Sequence, residues 1–245
     1  MLALGHPDLD RVEKYNQILS AAKDATQNAE LFTTLWEDYY GDPTGYGNST
    51  VWNPAAGLTN SGSVIAGDEG TGSVIYSTGA TASSISGAAP ANAIGATPWT
   101  VATQAPGKAF YLNCKAKIPT TPVANTTIFV GFSDTTNTLG VGVIGSLSTT
   151  RYIIQHSANL ITTKSDLDVT PVDTAYHGFE MWANGKDGNV YARLDGPLFG
   201  GAGLVVSVTP TVTYTKLRLL VTARNGGTAA DQRLQMAHLF VGCQP

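Results

Sequence analysis

Charged side chains are scarce in this sequence. Asp, Glu, Lys and Arg together make up 13% of its 245 residues, whereas roughly a quarter is usual for a globular domain. The net charge is −4 and no basic run occurs, which argues against binding driven by nucleic-acid phosphates. Hydrophobic runs long enough to span a membrane are also missing. We therefore expect neither nucleic acid nor a membrane among the partners of this chain.

Cysteine is rare too, with only Cys114 and Cys243, both in strand-like segments. Two cysteines so far apart make no zinc site by themselves. Two buried thiols are the favoured interpretation, and a disulfide would require neighbouring strands and an oxidising compartment. The N-terminus lacks the basic start and long apolar run of a signal peptide, so we expect the protein to be made and kept in a cytoplasm or released by lysis.

The first forty residues are patterned differently from the rest. Asp8 follows Pro7 and can cap a helix start, and apolar residues then recur at three- and four-residue steps, at Leu9, Val12, Tyr15, Leu19 and Ala22. Asn28 could cap a second short helix, whose apolar face would hold Leu31, Phe32, Leu35 and Trp36. The sequence therefore predicts a helical N-terminal arm over residues 1–43 and a β domain over residues 44–245.

Helices as short as these need a surface to pack on. One interpretation is that they cover their own β domain as a lid. The other, which we favour from the sequence, is that they reach a neighbouring subunit. In that case the docking residues would be Leu9, Val12, Leu19, Leu31, Phe32, Leu35 and Trp36.

Beyond residue 44 the sequence alternates between short strand-like pieces and turn signals every 8–14 residues. The clearest hairpin joins Gly178–Ala183 to Asn189–Leu194 through Asn-Gly and Asp-Gly pairs, which tolerate the positive φ of a tight connection. Strong strands are also predicted at 110–118, 127–132, 216–223 and 234–241. Regular turns without intervening helical patterns are typical of an antiparallel β-sandwich, and we expect a mainly β jelly roll.

The order of these segments resembles that of tailed-bacteriophage virion structural proteins with a concanavalin A-like, or laminin G-like, jelly-roll domain. The similarity is carried by the strand Phe110–Ile118, the piece Val130-Gly131-Phe132-Ser133-Asp134, the Asp-Gly hairpin and the final strand. The resemblance implies a non-enzymatic capsid decoration or minor capsid protein, located in the virion and assembled in the host cytoplasm. Its partners would be the major capsid protein or other virion subunits, and a homo-oligomer, in particular a trimer, is expected.

Catalytic constellations are hard to find in the sequence. Asp166 and Asp168 could share one face of a strand, as the paired acids of a glycan hydrolase do, but a solvated turn explains them better. The four histidines have no metal-binding spacing. His177 precedes a predicted strand and His238 lies inside one, and both are interpreted as surface or hydrogen-bonded strand histidines. We predict no catalytic residue, no cofactor site and no metal site, and hence no enzyme.

Aromatic residues gather near the junction of arm and β domain, at Tyr39, Tyr40, Tyr46, Trp52 and Trp99. Aromatic faces stack on sugars, so these residues could form the platform of a carbohydrate-binding module for host adhesion, which is the alternative function. The favoured interpretation is that they anchor the arm to the domain or to a partner, because aromatic residues dominate interface anchoring.

Overall fold

In a computed structural model of the chain, the described residues are 7–26, 33–37, 62–66, 73–88, 100–101, 109–133, 138–144, 148–158, 161–166, 172–210 and 217–243. They form one α-helix, one short 3-10 helix and fifteen strands. In chain order these are α1 Pro7–Thr26, β1 Thr33–Glu37, β2 Ser63–Ala66, β3 Val74–Ser77, β4 Ile85–Ala88, β5 Thr100–Val101, β6 Phe110–Lys117, β7 Thr127–Ser133, β8 Thr138–Ile144, β9 Ser148–Ala158, β10 Ile161–Asp166, β11 His177–Ala183, β12 Val190–Leu194, η1 Pro197–Phe199, β13 Val206–Val208, β14 Leu217–Arg224 and β15 Arg233–Cys243.

The strands form two antiparallel sheets. The eight-stranded sheet runs β13-β12-β11-β6-β15-β3-β2, with β1 also paired to β15. The seven-stranded sheet runs β10-β9-β8-β7-β14-β4, with β5 also paired to β14. The crossovers between sequence-distant strands make this a jelly-roll-like sandwich, which confirms the fold expected from the turn spacing. The hairpin of β11 and β12 also forms as predicted, with Glu180 opposite Arg193.

The main core lies between the two sheets. In β6 the side chains of Phe110, Leu112, Cys114 and Ala116 point inward, and those between them point to the outer face, because successive strand residues alternate. Cys114 is a free thiol in this core. Burial raises its pKa far above the ordinary value, so the thiol stays protonated and behaves as a small apolar side chain.

The helix α1 packs on the outer face of the eight-stranded sheet. Ile18 and Ala22 are buried there in a second apolar cluster with Tyr111, Trp182 and Phe240, and Leu19 packs partly buried against it. The described part of α1 is therefore a lid on its own domain, the alternative that the sequence did not favour. None of the described helices is long and apolar enough to cross a membrane.

The second predicted helix is wrong in the part that the structure describes. Leu35 and Trp36 lie in strand β1, which pairs with β15 and places Trp36 opposite Phe240. Two β-branched threonines open this segment and favour a strand. The part of β15 beyond its pairing with β3, residues 239–243, supplies the backbone partners, so sheet pairing overrides the helical spacing. Leu31 and Phe32, and the side chains of Leu9 and Val12, lie outside the described residues.

Replacing Ile18 by alanine tests the docking of α1. The side chain is 2% exposed, so its truncation should lower the free energy of unfolding by about 2–3 kcal/mol. The matched control is Ser20→Ala on the exposed side of the same helix, which should change stability by less than about 0.5 kcal/mol. Urea unfolding measures both, and equal effects would show that α1 does not pack on this sheet.

Candidate functional site

The outer face of the eight-stranded sheet carries an unusual number of polar side chains. Antiparallel register brings three of them, Asn113, Glu180 and Arg193, into one row across neighbouring strands. Asn113 on β6 lies opposite Glu180 on β11, and Glu180 lies opposite Arg193 on β12. On its other side Asn113 lies opposite Phe240 of β15. The next row toward the far end of β6 holds His238 opposite Lys115. Strand alternation alone thus gathers acid, base, amide and imidazole groups on one surface.

Glu180 is the centre of a buried ionic network. Its side chain is fully buried, and both carboxylate oxygens accept hydrogen bonds. Oε2 accepts from Arg193 Nε. Oε1 accepts from the Tyr111 hydroxyl and, at 3.2 Å, from Arg193 Nη2. Arg193 also lies over the Trp182 ring, 5.3 Å from its centroid. Burial, and then the negative charge of Glu180, raise the pKa of Tyr111 well above its ordinary range, so Tyr111 remains a donor.

Two glycines allow the loop after β12 to lie directly over this network. A Cβ at Gly196 would overlap Glu180 Oε2 and Arg193 Nε, and a Cβ at Gly178 would overlap the ring of Phe199. The loop can therefore bring η1 close to the sheet only because both positions lack a side chain. This places Leu198 and Phe199 beside the polar row.

A cleft of about 260 Å³ opens between α1 and η1. Its floor is formed by Asn113 and His238 of the sheet, and its walls are formed by Glu13, Gln17, Ile18, Leu198 and Phe199. The His238 ring is stacked almost parallel to the Phe199 ring, with centroids 6.0 Å apart. His238 Nε2 lies 2.7 Å from Asn113 Oδ1 and donates a hydrogen bond to this oxygen.

Asn113 is fully buried, and its Nδ2 has no partner within hydrogen-bonding distance among the described residues. The amide still acts on its neighbour, because it lowers the pKa of Tyr111 against the larger effects of burial and of Glu180. A buried amide group without a partner costs about 1–3 kcal/mol, which a polar ligand in the cleft would recover.

Positive charge continues from the cleft along β6. Lys115 and Lys117 lie on the same outer face as Asn113, and their ammonium groups lie 5.3 and 4.5 Å from the centre of the Tyr176 ring. The ring orders the two side chains through cation–π attraction. The surface beside the cleft is therefore suited to an anionic ligand.

A second polar cluster lies at the edge of the sandwich, around His177. Nδ1 of His177 is 2.6 Å from Asp195 Oδ2 and Nε2 is 2.9 Å from Asp173 Oδ1, while Asp195 also accepts from the Gly178 amide. Burial lowers the pKa of His177, but the hydrogen bonds to Asp195 and Asp173 and their charges raise it by more. Within the described residues no group of three or more His, Cys, Asp or Glu side chains is placed to hold a metal ion.

Only part of the residue set singled out from the sequence can be placed relative to this site. Leu19 packs against the cluster beneath α1, and Tyr39, Tyr40, Tyr46, Trp52 and Trp99 lie outside the described residues. Asn113 and Glu180 were missed, although a signal was present. Glu180 is a lone acid in an otherwise apolar strand, and the Asp-Gly turn that predicts the hairpin also predicts Arg193 as its cross-strand partner.

No protein-family model and no curated protein matches this sequence. Solved structures do match the fold. They include a family 7 alginate lyase, A1-II′, in complex with its product (TM-score 0.57, 10% identity, covering 83% of this chain and 100% of that one). A protein of unknown function from Shewanella oneidensis matches at TM-score 0.58 and 12% identity, covering 99% and 96%. A β-1,3-glucanase from Mycobacterium marinum matches at 0.54 and 9%, covering 88% and 100%.

These likenesses show a jelly-roll fold shared with a polysaccharide lyase and a glucanase. They contradict two expectations drawn from the sequence, that the chain is a virion structural protein docking on a phage head and that it is not an enzyme. The resemblance to phage proteins rested on strand order and turn spacing, which all sandwiches of this kind share. The expected homo-oligomer and the location of the protein stay predictions.

The Glu180–Arg193 pair gives a stability prediction. Arg193→Met leaves a buried carboxylate without its cation, so the free energy of unfolding should fall by about 3 kcal/mol. Adding Glu180→Gln removes that uncompensated charge and should restore much of the loss. Thermal or urea unfolding of the two single variants and the double variant measures the coupling, and strictly additive effects would mean that the pair does not interact.

His177 gives a pH prediction. Its pKa in the folded chain lies above the unfolded value of about 6.5, so the stabilisation is fully present below that pH and is lost as the pH rises through the folded pKa. His177→Gln should therefore destabilise the protein more at about pH 5.5 than at about pH 9.

The control for this measurement is His156→Gln. Burial lowers the pKa of His156, so its contribution should change with pH in the opposite direction. Equal destabilisation by His177→Gln at both pH values in urea unfolding would contradict the ionic role assigned to His177.

Proposed function

We propose that this protein is an enzyme that cleaves an acidic polysaccharide, bound in the cleft over Asn113 and His238 on the face that also carries Lys115 and Lys117. The observation that carries the proposal is the unsatisfied amide of Asn113 on the cleft floor. Sugar hydroxyls and carboxylates are the groups that such an amide binds. The fold is one on which an alginate lyase and a β-1,3-glucanase are built, which supports polysaccharide cleavage by analogy of fold.

The positive charge of two lysines beside the cleft favours an anionic polymer over a neutral one. Lys115 and Lys117 project from the same face as Asn113, at two-residue steps along β6. Each can pair with a carboxylate of a sugar unit outside the cleft. Among the described residues that line the cleft, the sole carboxylate is Glu13, on the exposed side of α1. The site thus attracts uronate units and has little to repel them.

The hydrogen bonds of Glu180 favour elimination over hydrolysis. Hydrolysis of a glycosidic bond ordinarily uses two carboxyl groups about 5–10 Å apart, one of which donates a proton. Glu180 is unsuited to either role, because both of its oxygens are occupied by Arg193 and Tyr111. Elimination instead requires a base for the proton beside the uronate carboxylate, donors that stabilise the resulting anion, and a proton for the departing glycosidic oxygen. The candidate base is Nδ1 of His238, since Nε2 carries the proton that binds Asn113, and the imidazolium can then return a proton to the leaving oxygen. Asn113 and Lys115 are the candidate donors on the same face.

The test is an activity assay on purified protein with alginate, pectate and a neutral β-1,3-glucan. Elimination creates an unsaturated uronate, whose ultraviolet absorbance should rise with alginate or pectate. Asn113→Leu removes the amide without adding charge and should lower kcat/KM about 10- to 100-fold, the value of one charge-assisted hydrogen bond. His238→Gln should lower kcat more than it changes KM.

The matched control for the cationic strip compares two lysines. Lys115→Ala should weaken binding of the anionic polymer, whereas Lys186→Ala, on the exposed turn of the β11–β12 hairpin, should leave it unchanged. Release of reducing sugars from the β-glucan without any unsaturated product would contradict elimination. No cleavage of any of the three polymers would contradict the proposed function.

A further inference from the structure

The ring of Phe199 lies over the backbone of strand β11. A Cβ at Gly178 would overlap three carbon atoms of this ring, so the ring occupies the space that a side chain at position 178 would need. Gly178, Lys115 and His238 form one row across β11, β6 and β15. On the outer face of the sheet, Phe199 therefore covers the row next to the one that holds Asn113.

The loop that carries Phe199 is held to the same glycine. Asp195 Oδ1 accepts a hydrogen bond from the Gly178 amide at 2.8 Å, and the Asp195 amide donates to the Gly178 carbonyl oxygen, also at 2.8 Å. Within the loop, the Phe199 amide donates to the carbonyl oxygen of Gly196 at 2.9 Å. Together these hydrogen bonds fix where the loop places the ring.

The Phe199 ring is also a flat partner of the His238 imidazole. The two rings are inclined by 8° with centroids 6.0 Å apart, within the range of offset-stacked aromatic pairs. His238 Nε2 donates to Asn113 Oδ1 at 2.7 Å, which restrains one atom of the imidazole. Because the χ2 angle of histidine is broad, a further contact is needed to define the plane of the ring. The parallel ring of Phe199 supplies such a contact.

The orientation of the imidazole decides which nitrogen can act as a base. With Nε2 donating to Asn113, the neutral ring carries its lone pair on Nδ1 of His238, the candidate base. A half turn about the Cβ–Cγ bond would put a ring carbon in the place of each nitrogen and would break the bond to Asn113. A general base has to lie within about 2.6–3.2 Å of the group whose proton it takes. Such a turn would therefore remove the base from reach.

From these contacts we infer that Phe199 is a positioning residue for His238. Its ring, which lies against Gly178, holds the imidazole in the orientation in which Nε2 binds Asn113 and Nδ1 is the base. The inference rests on the proposed function and adds a residue that acts through the candidate base. Phe199 itself transfers no proton, so its contribution is to kcat and to the tautomer of His238 rather than to KM.

Two substitutions remove the stacked ring by different routes. Phe199→Leu keeps an apolar side chain in the cleft wall but has no flat face. Gly178→Ala adds a Cβ that displaces the ring while Phe199 itself is unaltered. Both should lower kcat about 10- to 100-fold and leave KM within about threefold, because a misplacement of about 1 Å costs a rate of this order.

Each substitution has a matched control. Phe199→Tyr keeps the six-membered ring beside the imidazole. Gly227→Ala adds a Cβ that meets no atom within 4 Å. Both controls should retain kcat within about threefold of the unaltered protein, since neither removes the stacked ring.

The tautomer of His238 is measured by proton–nitrogen NMR of the intact protein at about pH 9, where histidine side chains are ordinarily neutral. The signals of His238 are those missing from His238→Gln. The unaltered protein should carry the proton on Nε2, whereas Phe199→Leu and Gly178→Ala should show a mixture of both tautomers. An unchanged tautomer in both variants would overturn the inference and leave the proposed function standing. An unaltered protein that shows the Nε2 proton but cleaves neither alginate, pectate nor the β-glucan would overturn the proposed function, and with it the role of Phe199 in the reaction.

Discussion

The packing of α1 across the eight-stranded sheet is the constraint on which the rest of the site depends. The outer face of that sheet holds Tyr111, Trp182 and Phe240, three large aromatic side chains that would otherwise lie in water. Covering them with Ile18 and Ala22 removes apolar surface from water, which stabilises the folded state by roughly 25 cal/mol for each Å² buried. The same contact fixes one wall of the cleft, and it separates a dry apolar end of the face from a polar, cationic end.

The polar end is organised by an ionic network in which each residue depends on the others. Glu180 is fully buried and depends on Arg193 and Tyr111 for its hydrogen bonds, and the loop at Gly196 lies over them. This loop carries Leu198 and Phe199 into the cleft. At its start, Asp195 holds the loop against β11 by hydrogen bonds to the His177 ring and to the Gly178 amide. The ionic network therefore positions the cleft walls, and Asn113 and His238 form the floor between them.

The fold could be predicted from the sequence because its signals are local. Alternation in Phe110–Lys117 and the Asn-Gly and Asp-Gly pairs after Ala183 each specify a strand or a turn within a few residues. The strand at Leu35 and Trp36 was mispredicted because its pairing partner, β15, lies some two hundred residues away. The site escaped prediction for the same reason, since Asn113 and His238 meet only through the pairing of β6 with β15. Function inferred from strand order pointed to a virion protein, whereas the solved structures sharing the fold include polysaccharide-cleaving enzymes.

The central claim is that an acidic polysaccharide binds in the cleft above Asn113, and a crystal structure of the protein with a short uronate oligosaccharide tests it most directly. The account predicts a sugar between α1 and η1, with one of its oxygens within hydrogen-bonding distance of the Asn113 amide. An oligosaccharide bound on the seven-stranded sheet, with none in the cleft, would contradict it.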